Sequence, residues 1–206
     1  MTLPSPWLEI YETRQDAIRK RLEDFERIPK EEYFYELAFT ILTPQSSAKN
    51  ADAAIGHLKR DKFFERGFDP TSYLREPSNY IRFHNVKAKR LLTIRDEWHN
   101  ISTLLQNKSN PFELRETVLH NIKGVGLKEA SHFLRNIGVR GLAILDRHIL
   151  KHLKSLKIIG KIPKALTPKR YFAIEKKWLK YSKEVGIPMD ELDLLFWSME
   201  TGEIRK

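Results

Sequence analysis

The chain has no cysteine in 206 residues. Disulfides, thiolate catalysis, Cys-ligated zinc and Cys-held iron–sulfur clusters are thereby excluded. No apolar stretch is long enough to span a bilayer. The N-terminal MTLPSPWLEIYETR lacks the basic start and apolar run of a secretory signal, so a soluble, cytoplasmic protein without membrane contact is expected. Internal repeats, low-complexity tracts and flexible linkers are missing. Strand-like alternation is nearly absent as well: VRGLAIL at 139–145 is the only tempting run, short and isolated. Acidic residues are in deficit. Asp and Glu number 27 against 37 Lys and Arg, a net charge of +10, which favours a polyanionic partner whose phosphates release counterions on binding. Ribosomal, membrane-surface and heat-adapted proteins share that balance, so charge alone selects no function.

What is present is helical. The hydrophobic share of 41% is enough for a packed core. Ser5-Pro6 reads as an N-cap followed by Pro at the first helical position, opening a helix over 5–28 with Leu8, Tyr11, Ile18, Leu22 and Phe25 on one face. Further helices are predicted at 31–42, 48–58, 86–98, 111–121, 128–137, 146–156, 168–184 and 189–201. Short helices and turns fill 61–82, where Gly67, Pro70 and Pro77 interrupt the pattern. The fold class is therefore all-α.

The most informative segment is Asn121-Ile122-Lys123-Gly124-Val125-Gly126-Leu127-Lys128. A helix ends on an apolar residue, Gly-Val-Gly follows, and a new helix begins. Gly124 and Gly126 permit a tight reversal. The first amides of the second helix have no intrahelical partner and sit at the positive end of its dipole, ready for a phosphate oxygen. Ile122 and Val125 can anchor the two helices. Such a hairpin grips DNA backbone without reading sequence; a plain helix–turn–helix with a glycine C-cap is the alternative. Lys128 stands in the first turn of the second helix, where the dipole disfavours a cation and favours the neutral, nucleophilic amine. Asp146, in LAILDRHIL, stands at a helix start and is by itself an ordinary N-cap.

Taken together, IKGVGLKEASHFLRNIGVRGLAILDRHILKHL (122–153) resembles the helix-hairpin-helix superfamily of DNA glycosylases: Lys128 lies two residues after the second hairpin glycine, and Asp146 opens the following helix. LTPQSSAKNADAAI (42–55) and FHNVKAKRL (83–91) resemble the DNA-inserted turn and the next DNA-facing loop of that superfamily. The missing cysteine cluster argues against its iron–sulfur branch. The length and the ending FWSMETGEIRK resemble the compact archaeal second class of 8-oxoguanine DNA glycosylase.

The resemblance implies two helical lobes, 1–30 with 130–206 and 31–129 ending in the helix-hairpin-helix (112–137), with a DNA groove between them and Lys128 and Asp146 at its mouth. It implies a monomeric, cofactor-free enzyme acting on double-stranded DNA that contains a damaged base. Lys128 attacks the sugar C1′, the base departs, and the resulting Schiff base permits β-elimination of the 3′ phosphate, so glycosylase and AP-lyase activities reside together. Asp146 steadies the positive charge that develops on the sugar. Phe83 is the expected wedge between stacked bases and Gln45 the filler of the vacated space, the alternatives being a core Phe and a capping Gln. His84 and Asn85 share the loop's DNA contacts. In the base pocket, the terminal carboxylate of Lys206 accepts from the N7–H that oxidation gives the lesion, Trp197 stacks on the flipped base, and His132 faces the same pocket one turn after Lys128. His148 touches a phosphate. No metal pattern emerges among the seven histidines, although a structural monovalent cation can be held by the carbonyls of His120, Ile122 and Val125. The rival readings are a non-catalytic DNA-binding hairpin module, a glycosylase/lyase for another oxidised base, and, more distantly, an RNA-binding protein.

Overall fold

The computed structural model describes residues 2–106 and 110–204. Among the described residues the chain is helical without a strand: α1 (Trp7–Glu26), α2 (Tyr33–Leu42), α3 (Ala48–Arg60), α4 (Phe63–Arg66), α5 (Thr71–Arg75), α6 (His84–Asp96), α7 (Trp98–Leu104), α8 (Pro111–Asn121), α9 (Leu127–Asn136), α10 (Arg147–Ser155), α11 (Pro168–Val185) and α12 (Met189–Thr201), with short 3-10 turns at Lys30–Glu32 and Pro77–Asn79. None of these helices is long and apolar enough to cross a membrane. The chain divides into two compact units, one comprising Met1–Arg27 and Leu134–Lys206, the other Ile28–Phe133.

In the first unit α12 is the hub. It packs against α1, α10 and α11. The periodic face of α1 supplies Tyr11, Ile18, Leu22 and Phe25 to the core. Trp178 of α11 is fully buried and stacks near Phe196 of α12, and His152 of α10 stacks on the same Phe196 at 4.8 Å. A buried ion pair, Arg135 to Asp193 at 2.9 Å, joins the end of α9 to α12. The start of α1 differs from expectation. The helix begins at Trp7, Pro6 occupies the N-cap position, and the Ser5 hydroxyl goes to the Glu9 carboxylate rather than to a backbone amide.

VRGLAIL is not a strand, and the partners of its backbone show why. Side chains of α11 and α12 satisfy backbone groups of both kinds: Ala143 N–H donates to Glu175 Oε1 at 2.9 Å, Gly141 N–H to Asp190 Oδ2 at 2.9 Å, and the Tyr171 hydroxyl donates to the Ala143 carbonyl at 2.5 Å. An extended segment so saturated needs no neighbouring strand.

In the second unit α2 is central, with all ten of its residues buried between α3 and α6. An aromatic cluster of Phe34, Phe63, Phe64 and Trp98 closes one end. Trp98 does not end the helix predicted over 86–98. The chain breaks at Glu97 and Trp98 starts α7, whose Ile101 continues the apolar spacing into the core.

Candidate active site

Within the second unit three segments carry the residues singled out in the sequence. The hairpin joins α8 to α9. Ile122, the C-cap of α8, and Val125 are both buried, and the Val125 N–H donates to the Ile122 carbonyl at 3.3 Å. Gly124 sits at φ +86°, a left-handed conformation that glycine adopts without a steric penalty. The Arg90 side chain of α6 lies against it, so that a Cβ there would meet Nε at 2.6 Å, and Arg90 NH1 donates to the Gly124 carbonyl at 3.4 Å. The Gly126 carbonyl accepts the Ala130 N–H at 2.8 Å and so starts α9. Lys128 follows in that first turn, its side chain 25% exposed, with Nζ 3.7 Å from Glu129 Oε1. A reachable amine beside helix-opening amides is a geometry that can bind phosphate and attack carbon. His120 is exposed and its Nδ1 lies 2.7 Å from the Glu116 carbonyl.

Gln45 and Phe83 are two of the four non-glycine residues with positive φ among the described residues, at +58° and +60°. Such conformations cost about 1–3 kcal/mol and persist where the surroundings over-determine them. The surroundings here are specific. Ser46 Oγ accepts the Arg82 N–H at 2.9 Å, and Asn50 Nδ2 donates to the Tyr80 carbonyl at 3.1 Å, which ties the two loops together. Phe83 is 51% exposed, with the Arg82 guanidinium over its ring, so it is not a core residue. Gln45 is exposed, and Ser47, not Gln45, caps α3. His84, half-buried, packs edge-on against Tyr80, while Asn85 is exposed.

The residue that sequence reasoning missed in this unit is Lys87. It is 3% exposed, yet its ammonium donates to the Leu42 carbonyl at 2.7 Å, the Pro44 carbonyl at 2.7 Å and Ser46 Oγ at 3.3 Å. A cation therefore closes the C-terminal end of α2 and fixes the turn that presents Gln45. Burial, with the nearby charges of Arg90 and Lys128, pushes the Lys87 amine down to about 8. The carbonyl acceptors oppose that shift by favouring the ammonium. The signal was in the pattern: Lys87, Leu91 and Ile94 fall on one helical stripe, so the apolar face of α6 runs through a lysine. His132, expected at a pocket, is buried and packs edge-on against Phe39 at 5.9 Å.

Within the first unit the residues gather on α10 and α12. Asp146 is the N-cap of α10, its Oδ1 accepting the His148 and Ile149 amides, each at 2.8 Å. Its Oδ2 accepts the Trp197 indole N–H at 2.9 Å. Trp197 is half-buried and engaged with a carboxylate, a link that no sequence spacing announces. His148 packs edge-on against Trp197, and its Nδ1 lies 3.5 Å from Glu200 Oε2, so its ring is held within this cluster. Glu200 also accepts from Lys151 at 2.7 Å and lies 3.2 Å from His152; chiefly the Lys151 bond holds its carboxyl below the usual range. Lys206 lies outside the described residues.

The comparisons with known proteins cover almost the whole chain. The family model described as 8-oxoguanine DNA glycosylase matches residues 18–187. The 8-oxoguanine DNA glycosylase/AP lyase of Fusobacterium nucleatum is 42% identical over 208 residues, covering 96% of this chain and 95% of its own. That of Methanocaldococcus jannaschii is 36% identical, covering 93% of each chain. Among solved structures, the crystal structure of the 8-oxoguanine DNA glycosylase of Thermotoga maritima superposes with a TM-score of 0.85 at 32% identity, over 97% of this chain and 96% of that one. The M. jannaschii enzyme in complex with a 15mer DNA containing 8-oxoguanine superposes with a TM-score of 0.81 at 32% identity, over 97% and 99%.

Proposed function

The chain belongs to the 8-oxoguanine DNA glycosylase family, and on that premise we propose that it excises 8-oxoguanine from double-stranded DNA and cleaves the abasic strand through a Schiff base on Lys128. The observation that carries this reading is the match across 18–187 together with Lys128 in the first turn of a helix entered through the Gly-Val-Gly hairpin. The hairpin amides and Lys123 take the DNA backbone. Phe83 and Gln45, on their strained turns, enter the stack and hold the gap while the lesion is extruded, at a cost of about a few kcal/mol. The neutral amine of Lys128 attacks C1′ and the C1′–N9 bond breaks with its electrons leaving on the base, which takes up the proton that the amine sheds; the C1′–O4′ bond then opens, O4′ gaining its electrons and a proton, and C1′ and the lysine nitrogen are left joined as the Schiff base. Asp146 lowers the energy of the positive charge that builds on the sugar. Loss of a proton from C2′ of the Schiff base then expels the 3′ phosphate. The carbonyls of His120, Ile122 and Val125 are the groups that would hold a structural monovalent cation; the Ile122 carbonyl keeps a second lone pair beside its bond from Val125. Action on DNA makes the enzyme intracellular, and the cytoplasm is the compartment proposed for it.

Sodium borohydride tests the reading directly. On an 8-oxoguanine duplex it should trap a covalent complex with the wild type and none with Lys128→Gln, while Lys128→Gln still binds the duplex. A wild type that binds without trapping would be a hairpin module and not an enzyme. Preferential excision from a duplex carrying an oxidised pyrimidine would move the substrate to another lesion.

A further inference from the structure

We infer that Trp197 is a positioning residue for Asp146, its indole N–H fixing the one carboxylate oxygen that the helix cap leaves over. The inference rests on the catalytic reading of Asp146 given above.

An N-cap aspartate ordinarily uses one oxygen. Here Oδ1 takes both cap amides, His148 and Ile149, at 2.8 Å each. The second oxygen of such a carboxylate is usually left to water, and the group turns about its last torsion. Asp146 Oδ2 instead meets a directed N–H at 2.9 Å. Three donors on one carboxylate, two along α10 and one from α12, set the plane of the group as well as its place. Charge-assisted bonds of this type are the stronger class.

The indole is itself held. His148 packs edge-on against it at 5.9 Å between centroids. Glu200, one turn beyond Trp197 on α12, pairs with Lys151 and His152 and lies near His148, all on α10. Trp7 of α1 donates its own indole N–H to His152 Nδ1 at 3.0 Å from the other side. The α10–α12 contact is thus sewn by polar pairs spaced one helical turn apart, and Asp146–Trp197 is the first stitch. A tryptophan that only filled the core would be fully buried, as Trp178 is; Trp197 is not. A tryptophan that only offered a flat face to a base would have no need of its N–H.

The full-length enzyme with Trp197 replaced by 3-benzothienylalanine tests this, because sulfur then stands in place of the N–H and the two-ring face is kept. Trp197→Phe is the second variant. Single-turnover excision of 8-oxoguanine opposite cytosine should slow by about 10–100-fold, the loss that one hydrogen bond to a charged group supports. Duplex affinity should stay within about twofold, since no phosphate contact is removed. Strand cleavage at a preformed abasic site, which needs no departing base, should fall much less. Asp146→Asn in the same assay should show the same split, and the indole N–H resonance of Trp197 should shift in that variant. Wild-type excision by the benzothienyl variant beside an impaired Asp146→Asn overturns the inference and leaves Asp146 catalytic. Wild-type excision by Asp146→Asn overturns both. A benzothienyl variant that loses affinity and both activities alike also overturns it, by making Trp197 a DNA contact or a structural support.

Discussion

Two glycines in the first unit offer a matched pair. Gly138 and Gly141 share a left-handed backbone, φ +85° and +83°. Gly138 closes α9 in a Schellman turn: its N–H donates to the Arg135 carbonyl at 2.9 Å and the Val139 N–H to the Leu134 carbonyl at 2.9 Å, with buried Leu134 and Val139 at the positions that usually touch. Alanine at either site incurs the left-handed cost, about 1–2 kcal/mol. The surroundings then separate them. A Cβ on Gly141 meets nothing within 4 Å, whereas one on Gly138 lies 2.7 Å from the Glu26 Cα and 3.2 Å from the Phe25 carbonyl oxygen. Those are backbone atoms at the end of α1 and cannot swing aside, so overpacking adds about 1–3 kcal/mol. Gly141→Ala should therefore destabilise by about 1–2 kcal/mol and Gly138→Ala by about 2–5 kcal/mol. Urea unfolding with unchanged slope m measures both, and each kcal/mol also appears as about 2–4 °C in Tm for a chain of this size. Equal losses in the two variants would show that backbone conformation alone sets the cost and that the α1 contact is worth nothing.

Phe83→Ala should leave urea stability within about 0.5 kcal/mol, because the ring is exposed, yet weaken lesion extrusion read by 2-aminopurine fluorescence beside the lesion; a normal extrusion signal removes Phe83 from the wedge. Lys87 gives up its proton near 8 when folded and near the usual 10.5 when unfolded, so between those values the unfolded chain binds more protons and native stability rises with pH. The wild type should therefore gain on Lys87→Met as pH climbs from 8 to 10.5, and a pH-independent difference contradicts the burial argument. Lys157 holds a left-handed turn after α10 at φ +58° with its side chain exposed; Lys157→Gly should stabilise by about 0.5–1 kcal/mol in the same urea assay, and no gain would mean the turn is unstrained.

The placement of most of the longer helices was legible because their apolar stripes are long and many of the stops are proline or glycine; α7 was not, because its first residue continues the spacing of the helix before it. The reading failed at Ser5, where a neighbouring side chain outcompetes the cap, and it held at VRGLAIL, where distant side chains leave a strand-prone run without need of a partner strand. Ser5 has cap chemistry, but Glu9 lies within reach of its hydroxyl and takes it. VRGLAIL has strand propensity, but Glu175, Tyr171 and Asp190 arrive from far along the chain to satisfy its amides. Lys128 and Asp146 stood out through the family pattern, and Asp146 as a cap was readable from its type alone. The bond from Trp197, fifty-one residues away, was not, since no local spacing encodes it. His132 shows the limit of a one-turn argument. Spacing places a side chain on a face, but Phe39 decides part of what that face meets.

The first unit is assembled from the two ends of the chain, α1 packing on α12 across everything between. On a ribosome this imposes an order. Residues 28–133 emerge as one uninterrupted stretch and can collapse on their own contacts. The amphipathic α1, made first, stays without its mate until α12 leaves the exit tunnel, a wait of roughly ten to thirty seconds at ordinary elongation speed. During that interval Ile18, Leu22 and Phe25 form a sticky ridge that chaperones would engage, and a break in translation between α1 and α12 yields a product in which that ridge lacks α12.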